Sequence, residues 1–330
     1  LTIFLERSSQ SRGSILAGFL ARRLALGAAT LVGVSMLIFG STQLLPGDVA
    51  VAVLGQQASP EALAAIRASL HLNDPLPVRY ITWLWGVLHG DLGRSLVNNR
   101  PVMDIVGFRL VNTMALAGLV AGVAVPLAVT LGTLAAIYRD SWLDRAINIF
   151  TLSALSLPEF FLGFVLIIVF AVEFPLFPSL SNVSPGMPIG DRLYAMTLPA
   201  ATLTLVILAH IMRMTRTAIV DVMGRPFIEM TVLKGLPRWR TVLEHALPNA
   251  LSPIITVITF NLAYLVVGVV VVEVVFVYPG LGQLMVDAVS TRDIPIVQTC
   301  GLIFATVYVV LNLVADIAAI LTNPRLRGRG

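Results

Sequence analysis

Six long apolar runs, at residues 24–45, 111–138, 146–172, 195–220, 249–278 and 296–321, punctuate the sequence. At ~1.5 Å of rise per residue, helices of this length cross the ~30 Å hydrocarbon layer of a bilayer, with length left over for tilt. Of the 330 residues 57% are hydrophobic and only 12% charged, against roughly 25% charged in soluble domains. Such a chain has too little polar surface to stay dispersed in water. The expected fold class is an all-α integral membrane protein with six transmembrane helices. The first run is longer than a signal-peptide core and lacks a small-residue cleavage site, so it reads as a retained span.

Basic residues set the expected orientation. Fifteen of the 22 Lys and Arg fall on the side of the termini; seven, Arg67, Arg79, Arg94, Arg100, Arg109, Arg192 and Arg292, fall on the other. The richer side marks the cytoplasm. The net charge of +4 follows this topology and is no nucleic-acid signal. The expected organisation is a cytoplasmic arm (1–21), a first span (22–45), an extracytoplasmic cap (46–109), a bundle of helices 2 to 6 (110–322) and a cytoplasmic tail (323–330). In the cap, Ser59-Pro60-Glu61 marks a helix start with Leu63, Ile66 and Leu70 on one face, and 77–89 is a second candidate helix. Turns are read at 46–48 and 90–93. Tyr80, Trp83 and Trp85 suit either the membrane interface or packing of the cap, and both readings stay open.

On the cytoplasmic side one polar interruption stands out, within 221–248: E-M-T-V-L-K-G-L-P-R-W-R-T-V-L-E-H-A-L-P from Glu229 to Pro248. Residues 226–234 fit a short helix, Gly235 permits the left-handed turn that ends it, and Pro237 suits the first turn of a second. In that second helix Trp239, Val242, Leu243 and Ala246 recur at helical spacing. The expected product is a knob of two short helices joined at a glycine elbow, a shape that a separate ATP-driven protein could push. An ordinary loop between spans is the plainer alternative.

The opposite side carries E-V-V-F-V-Y-P-G-L-G-Q-L-M-V-D-A-V-S-T-R-D-I-P-I-V-Q from Glu273 to Gln298. Pro279-Gly280 breaks the fifth span, and Leu281, Leu284, Met285 and Ala288 then line one face of a short helix, 280–290, beside polar Gln283, Asp287 and Ser290. This pattern fits an interfacial helix at an outer mouth, with Tyr278, Pro279, Gly280, Leu284, Asp287, Arg292 and Asp293 as outer-gate candidates. A helix that only seals the bundle is the alternative.

The chain has no G-x-x-x-x-G-K-[ST] phosphate cradle, and His71, His89, His210 and His245 lack metal-ligand spacing. No nucleophile–base grouping stands out. Cys300 is the single cysteine, which excludes an intrachain disulfide. Six spans without catalytic motifs favour transport. Glu159, Glu173, His210, Glu273 and Asp316 lie in or at the ends of spans, where ionisable groups are costly and usually face a bundle interior or a watered path. Glu159, Asn261 and Glu273 are the pathway candidates. A plain inter-helix hydrogen bond is the alternative for each, and Glu173 also fits snorkelling.

The Glu229–Pro248 stretch resembles the EAA coupling loop of ABC-importer permeases, E-A-A-x3-G-x9-I-x-L-P. V-F-V-Y-P-G-L-G followed by R-D-I-P-I-V-Q is similar to the dipeptide/oligopeptide/nickel branch of that family. L-P-G-D at 45–48, G-D-L-G-R-S-L at 90–96, N-T-M-A-L-A at 112–117 and N-P-R-L-R at 323–327 match the branch's first-subunit pattern, so the likeness runs from about Arg22 to Arg327. It implies a type I ABC importer permease fold, six transmembrane helices with an outer cap after the first, in a bacterial inner membrane with both termini cytoplasmic. It also implies a homologous second permease subunit, two ATP-binding subunits, an extracytoplasmic solute-binding protein and lipid contact, with no nucleic acid.

In this reading the chain is not an enzyme and holds no cofactor; ATP and Mg2+ belong to the partner subunits. Glu229, Lys234, Gly235, Leu236, Arg238, His245 and Pro248 carry the ATPase coupling. The implied substrate is a di- or oligopeptide, with nickel chelates, glutathione, haem and opines as alternatives. An ion-coupled secondary transporter would show inverted repeats with broken helices, and none is visible by eye. The chain departs from the family pattern at Met230-Thr231, at Val232 where an arginine is usual, and at Asn323 in the tail.

Overall fold

The structure is a computed structural model that describes residues 2–44, 59–69 and 73–322. The turn at 46–48, Leu70, His71 and the 323–327 motif lie outside the described residues. Helix α1 (Thr2–Gln43) is uninterrupted, so the arm read at 1–21 and the first span are one element. Short helices α2 (Pro60–Ser69) and α3 (Leu76–Leu88) follow. Phe39 of α1 meets the rings of Tyr80 and Trp83 at centroid distances of 5.5 and 5.7 Å, and the Tyr80 hydroxyl bonds Ser35 Oγ at 2.8 Å. Two of the three cap aromatics therefore pack against the first span, while Trp85 stays 65% exposed.

Helix α4 (Val102–Ile137) begins well before the boundary expected at residue 110. The apolar run 146–172 is not the single straight span its length suggests; α5 (Trp142–Ser156) and α6 (Glu159–Ile167, continued by a π turn over Ile168–Glu173) meet at 105°. Pro158 is the reason. A proline has no N–H for the helix ladder, and it pushes the residue before it out of the α region, where Leu157 indeed sits at φ −102°, ψ 135°. Ser141 caps α5, its hydroxyl accepting from the Asp144 N–H at 3.3 Å.

Helix α7 (Ile189–Met223) leads to α8 (Pro226–Leu233). Beyond Pro237, α9 (Arg238–Arg240) passes through a π turn, Thr241–Ala246, directly into α10 (Leu247–Val275). The expected second short helix of the knob is thus the first part of the fifth span. The π turn accompanies Pro248, which removes one donor from the ladder without stopping it. Helix α11 (Leu281–Thr291) and α12 (Ile294–Thr322) complete the described chain.

Five of these helical stretches are long and apolar enough to cross a membrane, and the bent α5–α6 pair counts as a sixth if it is one span. Helix α7 is the centre: 67% of its most apolar stretch is buried, against 11% for the first span. It approaches α4 closely, because a Cβ on Gly132 would lie 2.6 Å from the Met212 carbonyl oxygen. The apolar core falls into a main body plus one cluster at each end of the bundle. The near end joins Ala136, Ile219, Ile228, Val242 and Ile254; the far end joins Val102, Val106, Leu281, Ile296 and Cys300. Helices α1 and α12 are pinned to each other at both ends, by Arg23–Asp316 at 3.0 Å and by Gln298 donating to Thr42 Oγ1 at 2.8 Å.

Candidate functional site

At the near end, α8 stops in a Schellman motif. The Gly235 N–H donates to the Val232 carbonyl at 2.9 Å and the Leu236 N–H reaches back to Thr231 at 3.3 Å. Gly235 holds φ at +80°, and a Cβ added there would meet nothing within 4 Å, so the backbone angle, rather than space, requires glycine. The motif is anchored from below by Ile228, 1% exposed among Val242, Ala246 and Ile219. Its upper surface is apolar and open: Leu233 is 81% exposed, Met230 57%, Val232 56% and Trp239 55%. Glu229, Lys234, Arg238 and Pro248 are exposed, whereas Leu236 and His245 are half-buried. Val232, the departure from the usual arginine, therefore widens an apolar face.

The same end holds an ion pair that no sequence motif marks. Arg216 donates from Nε and a terminal nitrogen to the two Asp144 oxygens, each at 2.7 Å, in the forked geometry that suits guanidinium and carboxylate. Asp144 also accepts from the Asp140 N–H and from Asn148. The one local signal is Ser141 three residues before Asp144, a helix-start pattern that also brings the carboxylate under α7.

The far end is built differently. Glu273, a pathway candidate in the sequence, is fully buried within the chain. Its carboxylate accepts from Thr113 Oγ1 at 2.6 Å, from the Gly282 N–H at 2.7 Å and from the Gln283 N–H at 3.2 Å. A negative group at the first turn of α11 meets donors that have no partner within that helix. Thr113 in turn accepts from the Leu281 N–H at 2.8 Å. A Cβ on Gly280 would fall inside the Glu273 carboxylate, so glycine is needed there for space.

Beside Thr113, Asn112 donates to the Pro279 carbonyl at 2.8 Å, accepts from Arg192 at 2.6 Å and presents its own carbonyl to the Tyr278 hydroxyl at 2.9 Å. Asp293, 2% exposed, accepts from the Ser95 hydroxyl and from the Leu96 N–H. The quoted motifs N-T-M-A-L-A, G-D-L-G-R-S-L and R-D-I-P therefore converge on one helix. Leu284 is buried under it, while Asp287 and Arg292 face outward. Helix α11 is thus packed into the bundle by one face and free on the other.

Midway along the bundle Glu159 opens α6 at the bend. Its Oε2 lies 3.0 Å from where a Gly268 Cβ would stand, with Tyr264 and His210 as its electrostatic neighbours. Asn261, half-buried one turn before Tyr264, donates to the Val257 carbonyl at 2.8 Å. Glu159 and Asn261 share the helical wall of α6 and α10; Glu273 is elsewhere. Among the described residues no three His, Cys, Asp or Glu side chains are grouped to hold a metal ion.

The family described as binding-protein-dependent transport system inner membrane component matches residues 128–328, and the N-terminal region of such membrane components matches residues 16–117. A Sinorhizobium fredii protein named "Probable peptide ABC transporter permease protein" is 36% identical over 94% of this chain and 99% of its own length. The dipeptide transport system permease protein of Escherichia coli K12 is 33% identical, covering 94% of this chain and 98% of that one. With near-complete coverage, a multi-pass helical bundle and both motif-bearing ends in place, the chain belongs to the family of binding-protein-dependent transport system inner membrane components.

Proposed function

We propose that this chain is the transmembrane permease subunit of an ATP-driven importer of di- or oligopeptides. The near end faces the cytoplasm with both termini, as the basic-residue bias indicates. There the α8 knob, from Glu229 through Gly235 and Arg238 to Pro248, seats in ATPase subunits that hold ATP and Mg2+. The chain itself performs no catalysis. A homologous second permease supplies the other half of the pathway, and an extracytoplasmic solute-binding protein delivers the substrate over the far end. Residues Tyr278 to Asp293 frame the outer gate, and Glu159 and Asn261 line the route. The peptide assignment rests on the names of the relatives.

One observation carries the coupling role. The knob exposes Met230, Val232, Leu233 and Trp239 while its base is locked by Ile228. Outside lipid, a cluster of exposed apolar side chains marks a surface for a protein partner. Nucleotide-driven motion of that partner would move α8 and, through the unbroken helix beyond Pro237, the fifth span. Gly235→Pro removes the N–H that closes the motif and forbids the positive φ. Uptake of a labelled dipeptide by cells carrying the full importer should be abolished while the variant still inserts in the membrane. Normal uptake by correctly inserted Gly235→Pro would rule the lever out.

A further inference from the structure

A cavity of about 590 Å3 opens at the far end, between the first turns of α4 and the side of α11 that carries Leu284, Asp287 and Thr291. It lies within the ~300–1,000 Å3 range of small-ligand sites. Its wall carries charges of both signs: Arg100 and Arg109 on one hand, Asp104 and Asp287 on the other, over the apolar floor of Phe108 and Leu284. Asp293 also borders it, but that carboxylate is engaged by Ser95 and Leu96. Arg109 gives one nitrogen to Gln283 at 3.0 Å. The side chains of Arg100, Asp104 and Asp287 enter none of the hydrogen bonds or ion pairs found among the described residues. Two cationic and two anionic groups thus line one cavity with no ion pair between them among the described residues. That arrangement suits a small solute that is itself positive at one end and negative at the other.

We propose that this cavity is a transfer subsite for zwitterionic short peptides, with Asp104 and Asp287 receiving the ammonium terminus and Arg100 and Arg109 the carboxylate. The assignment rests on the peptide-importer reading above. Charge-assisted contacts at both termini fix orientation. The subsite holds peptide released from the binding protein, so it raises the share of each ATP cycle that ends in transport.

The test uses proteoliposomes with the complete importer and saturating binding protein loaded with labelled dialanine. Dialanine moved per ATP hydrolysed should fall about tenfold in Asp104→Asn and in Arg100→Gln. Binding-protein-stimulated ATP hydrolysis should stay at the wild-type level, and Asp104→Glu and Arg100→Lys should restore the ratio. Wild-type ratios in the neutral variants overturn the subsite and leave the importer reading standing. If the wild-type complex moves neither dialanine nor longer peptides, the peptide reading itself fails and takes the subsite with it.

Discussion

The two ends of this bundle each close a helix with the same backbone device and use it to opposite purpose. At the near end the left-handed position of the Schellman motif is Gly235, which adopts φ +80° without strain. At the far end the same hydrogen-bond pattern closes α10 around Val277, φ +52°, and α11 around Arg292, φ +57°. A β-branched residue in that region is a genuine outlier. Such a conformation persists where the surroundings over-determine it, and here they do: Tyr278, next in sequence, is fully buried and tied to Asn112, and Asp293, next after Arg292, is tied to the 95–96 turn. The knob instead closes around Gly235 with backbone bonds and leaves Met230, Val232 and Leu233 exposed.

The contrast breaks most sharply at Glu273. Glu273→Ala leaves the buried Thr113 hydroxyl and Gly282 N–H, and the half-buried Gln283 N–H, without an acceptor. At roughly 1–3 kcal/mol for each stranded group, the variant should lose more than about 3 kcal/mol, measured as a large drop in the thermal midpoint of the detergent-solubilised complex. Glu273→Gln, which keeps an acceptor oxygen, should lose less. Equal stability of Glu273→Ala and wild type would mean that the far end is not held by this carboxylate.

Gly280→Ala comes next. Its Cβ has no room beside that carboxylate, so the start of α11 must shift. Cysteine labelling at exposed Val289 should report a displaced helix, and uptake should fall severalfold. At the near end Gly235→Ala imposes only the left-handed penalty of about 1–2 kcal/mol on a surface turn. Global stability should change little while uptake per ATP falls. A loss of folded protein with Gly235→Ala comparable to that of Glu273→Ala would erase the difference between the ends.

How much of this is legible in the sequence differs by element. The apolar runs mark the spans because a bilayer demands length and hydrophobicity, which periodic counting detects. Gly235 and Pro237 mark the elbow because their backbone preferences are local. The break at Leu157-Pro158 is written in the same local chemistry, yet the surrounding apolar run hides it. The continuity of α9 with α10 is hidden the other way, because Pro248 looks like a stop and a π turn absorbs it. Glu273 reads as a pathway group because an acid among valines signals function; its partners, Thr113 and the α11 amides, are 160 and about ten residues away, and no local pattern reveals such pairing. Asp144 and Arg216, 72 residues apart, escape sequence reading for the same reason.

The smallest effect is expected at Val277. Val277→Gly removes a strained β-branched residue that is 46% exposed and packs little. Relief of the left-handed conformation should stabilise the far end by about 1 kcal/mol, partly offset by the entropy of glycine, and raise the thermal midpoint slightly. A fall would show that the exposed Val277 side chain contributes packing against a partner subunit.

The central claim is that the open face of the knob is occupied by a nucleotide-hydrolysing subunit. Cys300 is buried, so a cysteine placed at Leu233 is the one accessible thiol among the described residues. With Leu233→Cys in the assembled importer in native membranes, a short bifunctional thiol reagent should link this chain to an ATPase subunit, with a yield that changes between nucleotide-free and ATP-bound states. If that cysteine links to no ATPase subunit and reacts with a water-soluble label equally whether or not the ATPase subunits are present, the knob is not a coupling element.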